Sequence, residues 1–278
     1  MVTDGGPVAQ QYVLGSDTDE LSRLDAQASS IAAPTELLLR AAGIGPGMRA
    51  LDLGTGLGHV ARAVAALVGS DGEVLGIDQD PRMIEAAEQR RRAAGIDNLQ
   101  FRQADVQTFA APQRFDVVVG RLVLFHLADP VEVVRHHVAS LAPGGRIVAI
   151  DFDIGSARGE PRVGLVETAA GWIVDAFRAA GANPMIGARL GVILRAAGLE
   201  QVTTFGIQAY HGPDDPTSAA LIAGVVRTLA PTIFAEGIAT ESEVGLETLR
   251  DRLAREIRAA DAVVLLPDVV GAWGTSSG

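Results

Sequence analysis

Five aspartates and three glycines carry most of the chemical content of this chain. "ALDLGTGLGHV", residues 50–60, ends a short apolar run on Asp52 and then sets Gly54, Gly56 and Gly58 at alternate positions. Asp78 closes the next apolar run, "GEVLGID", Asp105 follows the third, and Asp151 and Asp153 close the fifth. Glycines after a strand let a ligand approach the backbone, because no Cβ intervenes. An acid about 20 residues beyond such a turn is in range of a ribose diol. The pattern still departs from the dinucleotide fingerprint G-x-G-x-x-G: the third glycine comes one residue early, and position 59 is histidine. A nucleoside site is one reading, and an ordinary tight strand-to-helix turn is the other.

Composition removes several chemistries. All 23 basic residues are arginine and there is no cysteine. Thiolate metal sites, disulfides and cysteine nucleophiles are therefore excluded, as are the P-loop and Schiff-base lysines. A formal net charge of -11 disfavours nucleic acid and anionic lipid as main partners. The three arginines at 90–92 read as a solvated helix end, where cations suit the dipole. No uncharged apolar stretch approaches the roughly 18 residues that span a bilayer. The first residues lack a basic start and an apolar h-region, so no secretory signal is expected and the reading is cytoplasmic. The arginine-only basic set and abundant alanine match a GC-rich bacterial coding sequence.

The elements that would hold these residues alternate in type from residue 33 onward. Helices are expected over 34–43, 57–68, Pro81 to Gly95, and 130–141. Strands are expected over 49–53, 72–78, 99–104, 115–120 and 146–152, the signature of a parallel sheet with crossover helices. Beyond residue 152 the rhythm changes: helices over 161–180 and 188–197, a strand over 201–210, helices over 216–230 and 241–260, and a last strand over 262–274. Pro267 inside that last run points to an edge position or a bulge.

"DLGTGLG", "GID" at the second strand and Ala104-Asp105 after the third resemble the class I S-adenosylmethionine-dependent methyltransferases, over residues 33 to about 152. The resemblance implies an α/β, Rossmann-like, doubly wound and mostly parallel seven-stranded sheet with an antiparallel last strand. With the helices over 212–261 read as an insertion between two strands, the chain is expected to divide into an N-terminal helical lid segment (1–32), a cofactor-binding core (33–211), a C-terminal helical insertion that caps the substrate (212–261), and the last strand with its tail (262–278). Gly54, Thr55 and Gly56 would lie against the methionine half of S-adenosylmethionine, with Asp52 orienting the turn and the cofactor ammonium. Asp78 would take both ribose hydroxyls. Asp105 would accept from the adenine amino group beside the backbone of Val106, with Gln79 and Met83 flanking the ring; an apolar residue is commoner at the Gln79 position. Such a cofactor has no pyrophosphate, so a site without lysine suits it.

"GRLVLFHLADP", residues 120–130, would then pass under the transferable methyl. Arg121 would pair with the cofactor carboxylate or an acidic substrate; its plainer reading is an arginine satisfied by a neighbouring aspartate. His126 titrates near neutrality and suits a base for an O–H, N–H or indole nucleophile, or else it is structural. Asp151 or Asp153 would face the acceptor from the carboxyl edge of the sheet. His126, Asp151 and Arg121 are thus the catalytic candidates. Tyr12, Phe125, His126, Phe152, Trp172 and Tyr210 are the acceptor-pocket candidates, with Trp273 as a further aromatic. No metal cluster is assembled by the sequence. His136 and His137 are about 100° apart on a helix and cannot chelate on one face. His59 is expected to cap or pack, and His211 to face water. The front segment, 11–27, would fold over the cofactor with Tyr12, Arg23 and Gln27 inward, or simply pack through Leu21 and Leu24.

The expected function is therefore an enzyme of bacterial secondary metabolism. It moves a methyl group by in-line displacement to an O, N or C nucleophile of a small organic molecule, such as an aromatic or natural-product scaffold. Its apolar carboxyl-half helices suit a homodimer. An NAD-type oxidoreductase on a Rossmann sheet and a non-catalytic S-adenosylmethionine-binding module are the rivals.

Overall fold

The computed structural model describes Asp25, residues 28–111 and residues 113–277. Tyr12, Leu21, Arg23, Leu24 and Gln27 lie outside the described residues, and with them most of segment 1–32. Five of the short apolar runs form β1 (Arg49–Leu53), β2 (Glu73–Asp78), β3 (Leu99–Gln103), β4 (Phe115–Arg121) and β5 (Leu141–Asp153). With β7 (Leu199–Ile207) and β10 (Asp268–Ser276) they make one seven-stranded sheet in the order β3-β2-β1-β4-β5-β10-β7. The first five pair in parallel, whereas β10 is antiparallel to both neighbours. The last strand in sequence is thus interior to the sheet.

Alternation along the strands sends side chains to two cores, because successive Cβ atoms point to opposite faces. Val117 and Val119 join α1 (Ala32–Ala41) and α2 (His59–Val68) on one face. Val118, Ile147 and Ala149 face the opposite layer, which includes α4 (Pro130–Val138), α5 (Gly164–Ala179) and α6 (Leu190–Ala196). The helix between β2 and β3 is α3 (Pro81–Ala93). It begins as its sequence predicts: Asp80 caps the Arg82 N–H and proline takes the first turn, where a missing donor costs nothing. Strand order reverses between β1 and β4, and in such sheets ligands bind outside the carboxyl ends at this switch point.

The expected strand over 262–274 is broken. Pro267 cannot donate to a ladder, and the chain uses it to leave one sheet for another. Before it, β9 (Val263–Leu265) pairs with β6 (Arg158–Glu160) and β8 (Tyr210–His211) in a small antiparallel sheet; after it, β10 enters the interior of the large one. The expected helix over 241–260 is also two pieces, α8 (Glu241–Val244) and α9 (Leu246–Ala259), parted by Gly245 at φ 53°. Ahead of them lies α7 (Thr217–Ala235), which is long and apolar enough to cross a membrane, with a mean hydropathy of 1.6 over its window. It packs on α5 and α9, burying Val226, Leu229 and Ile233, while Arg227 meets Glu247 at 3.0 Å.

Candidate active site

The glycine turn leaves β1 at the switch point. Gly54 and Gly56 have φ of 60° and 51°, the left-handed region where a side chain is strained. They differ in surroundings. A Cβ on Gly54 would stand 2.7 Å from Val123 Cγ2, so this glycine lets the turn touch the segment after β4; a Cβ on Gly56 would meet nothing within 4 Å, so space adjoins the backbone there. Thr55 closes the turn, its N–H bonded to the Ile77 carbonyl and its hydroxyl donating to Asp52 at 2.6 Å.

Two buried acids frame that turn. Asp52 is 1% exposed, and burial pushes its carboxyl up to about 7 against the pull of the Thr55 hydroxyl and the Arg121 charge. Asp78 ends β2. One of its oxygens accepts the Gly56 N–H at 2.9 Å and the other the Asp80 N–H at 3.0 Å. Burial raises Asp78 as well, opposed by those backbone donors. Each oxygen keeps a lone pair for a further donor. Asp105 begins a tight turn after β3, its Oδ1 accepting the Gln107 N–H at 2.8 Å. Gln79 is exposed and Met83 half-buried on the first turn of α3, whereas Val106 is half-buried in the Asp105 turn. The structure therefore gathers Asp52, Gly54, Thr55, Gly56 and Asp78 around one turn, with Asp105 on the next strand end.

After β4 the backbone is strained. Leu122 has φ 58°, costing a non-glycine residue about 1–2 kcal/mol, and such strain clusters at functional sites. The kink separates Arg121 from Val123, the residue under Gly54. Arg121 Nη1 reaches Thr35 Oγ1 on α1 at 3.2 Å. Among the described residues no carboxylate lies within ion-pair distance of it, so the aspartate pairing does not form there. Burial draws its guanidinium below the usual arginine range, with Asp52 opposing. A short 3-10 turn, Leu124–His126, follows. Phe125 is buried edge-on against Phe177, its N–H donating to Asp151 Oδ2 at 3.3 Å and its carbonyl accepting the Asn183 N–H at 3.1 Å. His126, beside it, is exposed.

Asp151 is 1% exposed and pushed up to about 8 by burial; its Oδ1 has no hydrogen-bond partner. Asp153 shares its face of β5, and Asp268 of β10 stands opposite Asp153 in the ladder. Burial and that neighbouring carboxylate both raise Asp153. Phe152 and Trp172 are half-buried against the core, and so is Trp273. Tyr210 stands apart on β8, 66% exposed.

Of the other histidines, only His211 departs from expectation. His59 Nε2 lies 2.8 Å from Asp25, which also takes two bonds from Arg90 at 2.6 and 2.7 Å, so neither His59 nor Arg90 is idle. His211 does not face water: it is half-buried, with Nδ1 2.8 Å from Asp215. His136 and His137 bond the carbonyls of Phe109 and Val106. Sequence reasoning missed Asp25, Thr35, Asn183 and this histidine pairing. Only Asp25 carried a local signal, an acid in a helix-patterned segment. No group of three metal-ligating side chains exists among the described residues. A cleft of about 780 Å³ opens near Arg49, Glu73 and Asn98 at the amino ends of the strands, away from these groups.

A family model described as a methyltransferase domain matches residues 44–176. The ubiquinone/menaquinone biosynthesis C-methyltransferase UbiE of Ectopseudomonas mendocina is 34% identical over 112 residues, 40% of this chain and 44% of that protein. Aklanonic acid methyltransferase DauC of Streptomyces is 38% identical over 102 residues, 36% of this chain and 46% of that protein. The chain thus spans less than half the length of the curated relatives it matches. The crystal structure of YcgJ from Bacillus subtilis, at 17% identity, superposes with a TM-score of 0.57 over 88% of this chain and 98% of that one, and shares the fold. Residues 44–176, just under half of the chain, are similar to this methyltransferase domain, the class of protein the sequence motifs resemble and one that uses S-adenosylmethionine. The donor set fits that molecule: carboxylates for a diol, an amine and an ammonium, open space along a glycine backbone, and no lysine for a phosphate.

Proposed function

We propose that this chain is an S-adenosylmethionine-dependent methyltransferase acting on an O, N or C nucleophile of a small organic molecule in the cytoplasm. The observation that carries the reading is the pair of buried acids, Asp52 and Asp78, one on each side of a glycine turn that leaves space along its backbone. Asp78 would hold the ribose diol, Asp105 and the Val106 backbone the adenine edge, with Gln79 and Met83 beside the ring. Asp52 would favour the ammonium and Arg121 the carboxylate of the methionine end. When bound, the cofactor supplies a methyl group on a sulfonium, already activated toward displacement.

This chain's residues then align, desolvate and deprotonate. Val123 and the strained Leu122 set the floor of the acceptor space, since Val123 meets Gly54 directly. Phe125, Phe152 and Trp172 would form its apolar wall. Asp151, neutral near pH 7, anchors the Phe125 amide and presents its second oxygen as a hydrogen-bonding group rather than a base. His126 takes the acceptor's proton where the nucleophile is O–H or N–H, a contribution of about 10²- to 10⁴-fold. The helices over 212–261 are proposed as the cap that keeps water out, which strengthens every polar contact inside.

Two measurements test this. S-adenosylhomocysteine at 100 times its Kd should stabilise the fold by about 2.7 kcal/mol, a rise of roughly 5–10 °C in melting temperature for a chain of this size. NADH should not. A shift with NADH alone would assign an oxidoreductase. Binding of S-adenosylhomocysteine without its release from S-adenosylmethionine, across aromatic phenol, amine and enol acceptors, would assign a non-catalytic binding module.

A further inference from the structure

Two adjacent histidines take no part in the transfer, yet both reach one loop. His136 Nε2 is 2.8 Å from the Phe109 carbonyl, and His137 Nε2 is 2.7 Å from the Val106 carbonyl. A carbonyl oxygen only accepts, so each ring must carry its proton on Nε2. His137 is fully buried and its Nδ1 has no hydrogen-bond partner. It borders a cavity of about 10 Å³ among Leu53, Gly120, Val123 and Val133. With an apolar wall there, burial pulls this imidazole down to about 4 and it stays neutral.

The loop they hold is the turn that Asp105 begins. The Asp105 carbonyl accepts the Thr108 and Phe109 N–H groups at 3.2 and 2.9 Å, and its Oδ1 accepts the Gln107 N–H. Val106 and Phe109 direct their carbonyls at the two rings. Those rings stand on α4, which begins four residues after His126 and is fixed at its start by Asp129, whose side chain accepts the Glu132 N–H. The loop over one half of the sheet is therefore tied to a helix over the other.

We propose that His136 and His137 are positioning residues for the adenine end of the cofactor site. By holding the Val106 and Phe109 carbonyls they keep Asp105 and the Val106 backbone where the 6-amino group is read. This rests on the reading of Asp105 as the adenine acceptor.

The test compares S-adenosylhomocysteine with S-inosylhomocysteine, which replaces the amino group by a carbonyl. The unaltered chain should prefer the adenosyl compound by tenfold or more. His137→Leu should lose most of that preference with the affinity for the inosyl compound nearly kept. His137→Gln, whose amide N–H can reach the same carbonyl, should restore it. His136→Ala, at a half-buried position, should give a partial loss and carries the test if His137→Leu does not fold. An unchanged preference in these variants would overturn the proposal, and so would an equal fall for both nucleosides, the mark of general loosening. Failure of the unaltered chain to bind either compound would remove the methyltransferase reading as well.

Discussion

On the β1–β2–β3 side of the switch point, the partners that frame the glycine turn are near each other in the chain: Thr55 and Asp52 are 3 residues apart, Asp80 and Asp78 are 2, and even Gly56 and Asp78 only 22. On the β4–β5–β10 side they are distant: 26 residues for Phe125 and Asp151, 86 for Arg121 and Thr35, 112 for Asp268 and Ser156. The first side offers carboxylate acceptors around one glycine turn, while the second sets Asp151 among apolar side chains. A ligand common to a whole family can be read by local motifs. An acceptor peculiar to one enzyme is met by residues that only the finished fold brings together.

The sharpest way to break this contrast is to remove the local reader. Asp78→Ala should cost S-adenosylhomocysteine about 3 kcal/mol, more than a hundredfold in Kd, since two charge-assisted bonds go and two backbone donors lose their acceptor. Asp78→Asn should fall between. Isothermal titration would show it, and a loss under threefold would mean the sugar is held elsewhere.

Asp52 gives a smaller effect with a definite sign. Its carboxyl titrates at about 7 because burial outweighs its partners, and a nearby ammonium would favour the charged form and lower it. Binding at pH 7 should thus release about half a proton. Affinity should rise about tenfold from pH 6 to pH 8 and then level. Titration in buffers of different ionisation enthalpy measures the proton, and Asp52→Asn should abolish it.

The legibility of the sequence follows the same division. Asp52, the glycines and Asp78 were visible because strand, turn and strand follow one another with little between. The runs that become β1 to β5 were visible for the same reason. The seven-stranded sheet was expected only from the family resemblance, since β3 to β4 and β5 to β7 join strands that are not neighbours. Invisible were the break at Pro267, where a proline inside an apolar run proved to be a transfer between two sheets, and the Asp151–Phe125 bond, which depends on how β5 lies against the turn after β4. The two histidines could be excluded as a chelating pair from helix geometry, but their shared loop lies 27 and 31 residues earlier.

On the proposed acceptor side, Asp151→Asn should leave the shape intact and change the pH dependence of stability. Burial raises the folded carboxyl to about 8, well above the usual carboxylate range of about 4. The folded chain therefore holds a proton that the unfolded chain loses, and wild-type stability falls as pH climbs from about 4 to about 8, then levels. The amide does not titrate. Its advantage in melting temperature over the wild type should grow across that window, by at least about 1 kcal/mol or roughly 2–4 °C. A difference flat with pH would mean that the acid is ionised in the fold.

Tyr210 should show the least. It was an acceptor-pocket candidate for its type and place after β7, and the structure leaves it 66% exposed on the small sheet, with Leu265 as its ladder partner. Exposed positions away from caps and networks change stability by at most about 0.5 kcal/mol. Tyr210→Ala should keep the melting temperature within about 2 °C and KM for any acceptor within about twofold. A much larger rise in KM at unchanged kcat would require the small sheet to fold against the acceptor when it binds. The division between a preformed cofactor half and an acceptor half would then become one between a fixed region and a closing one.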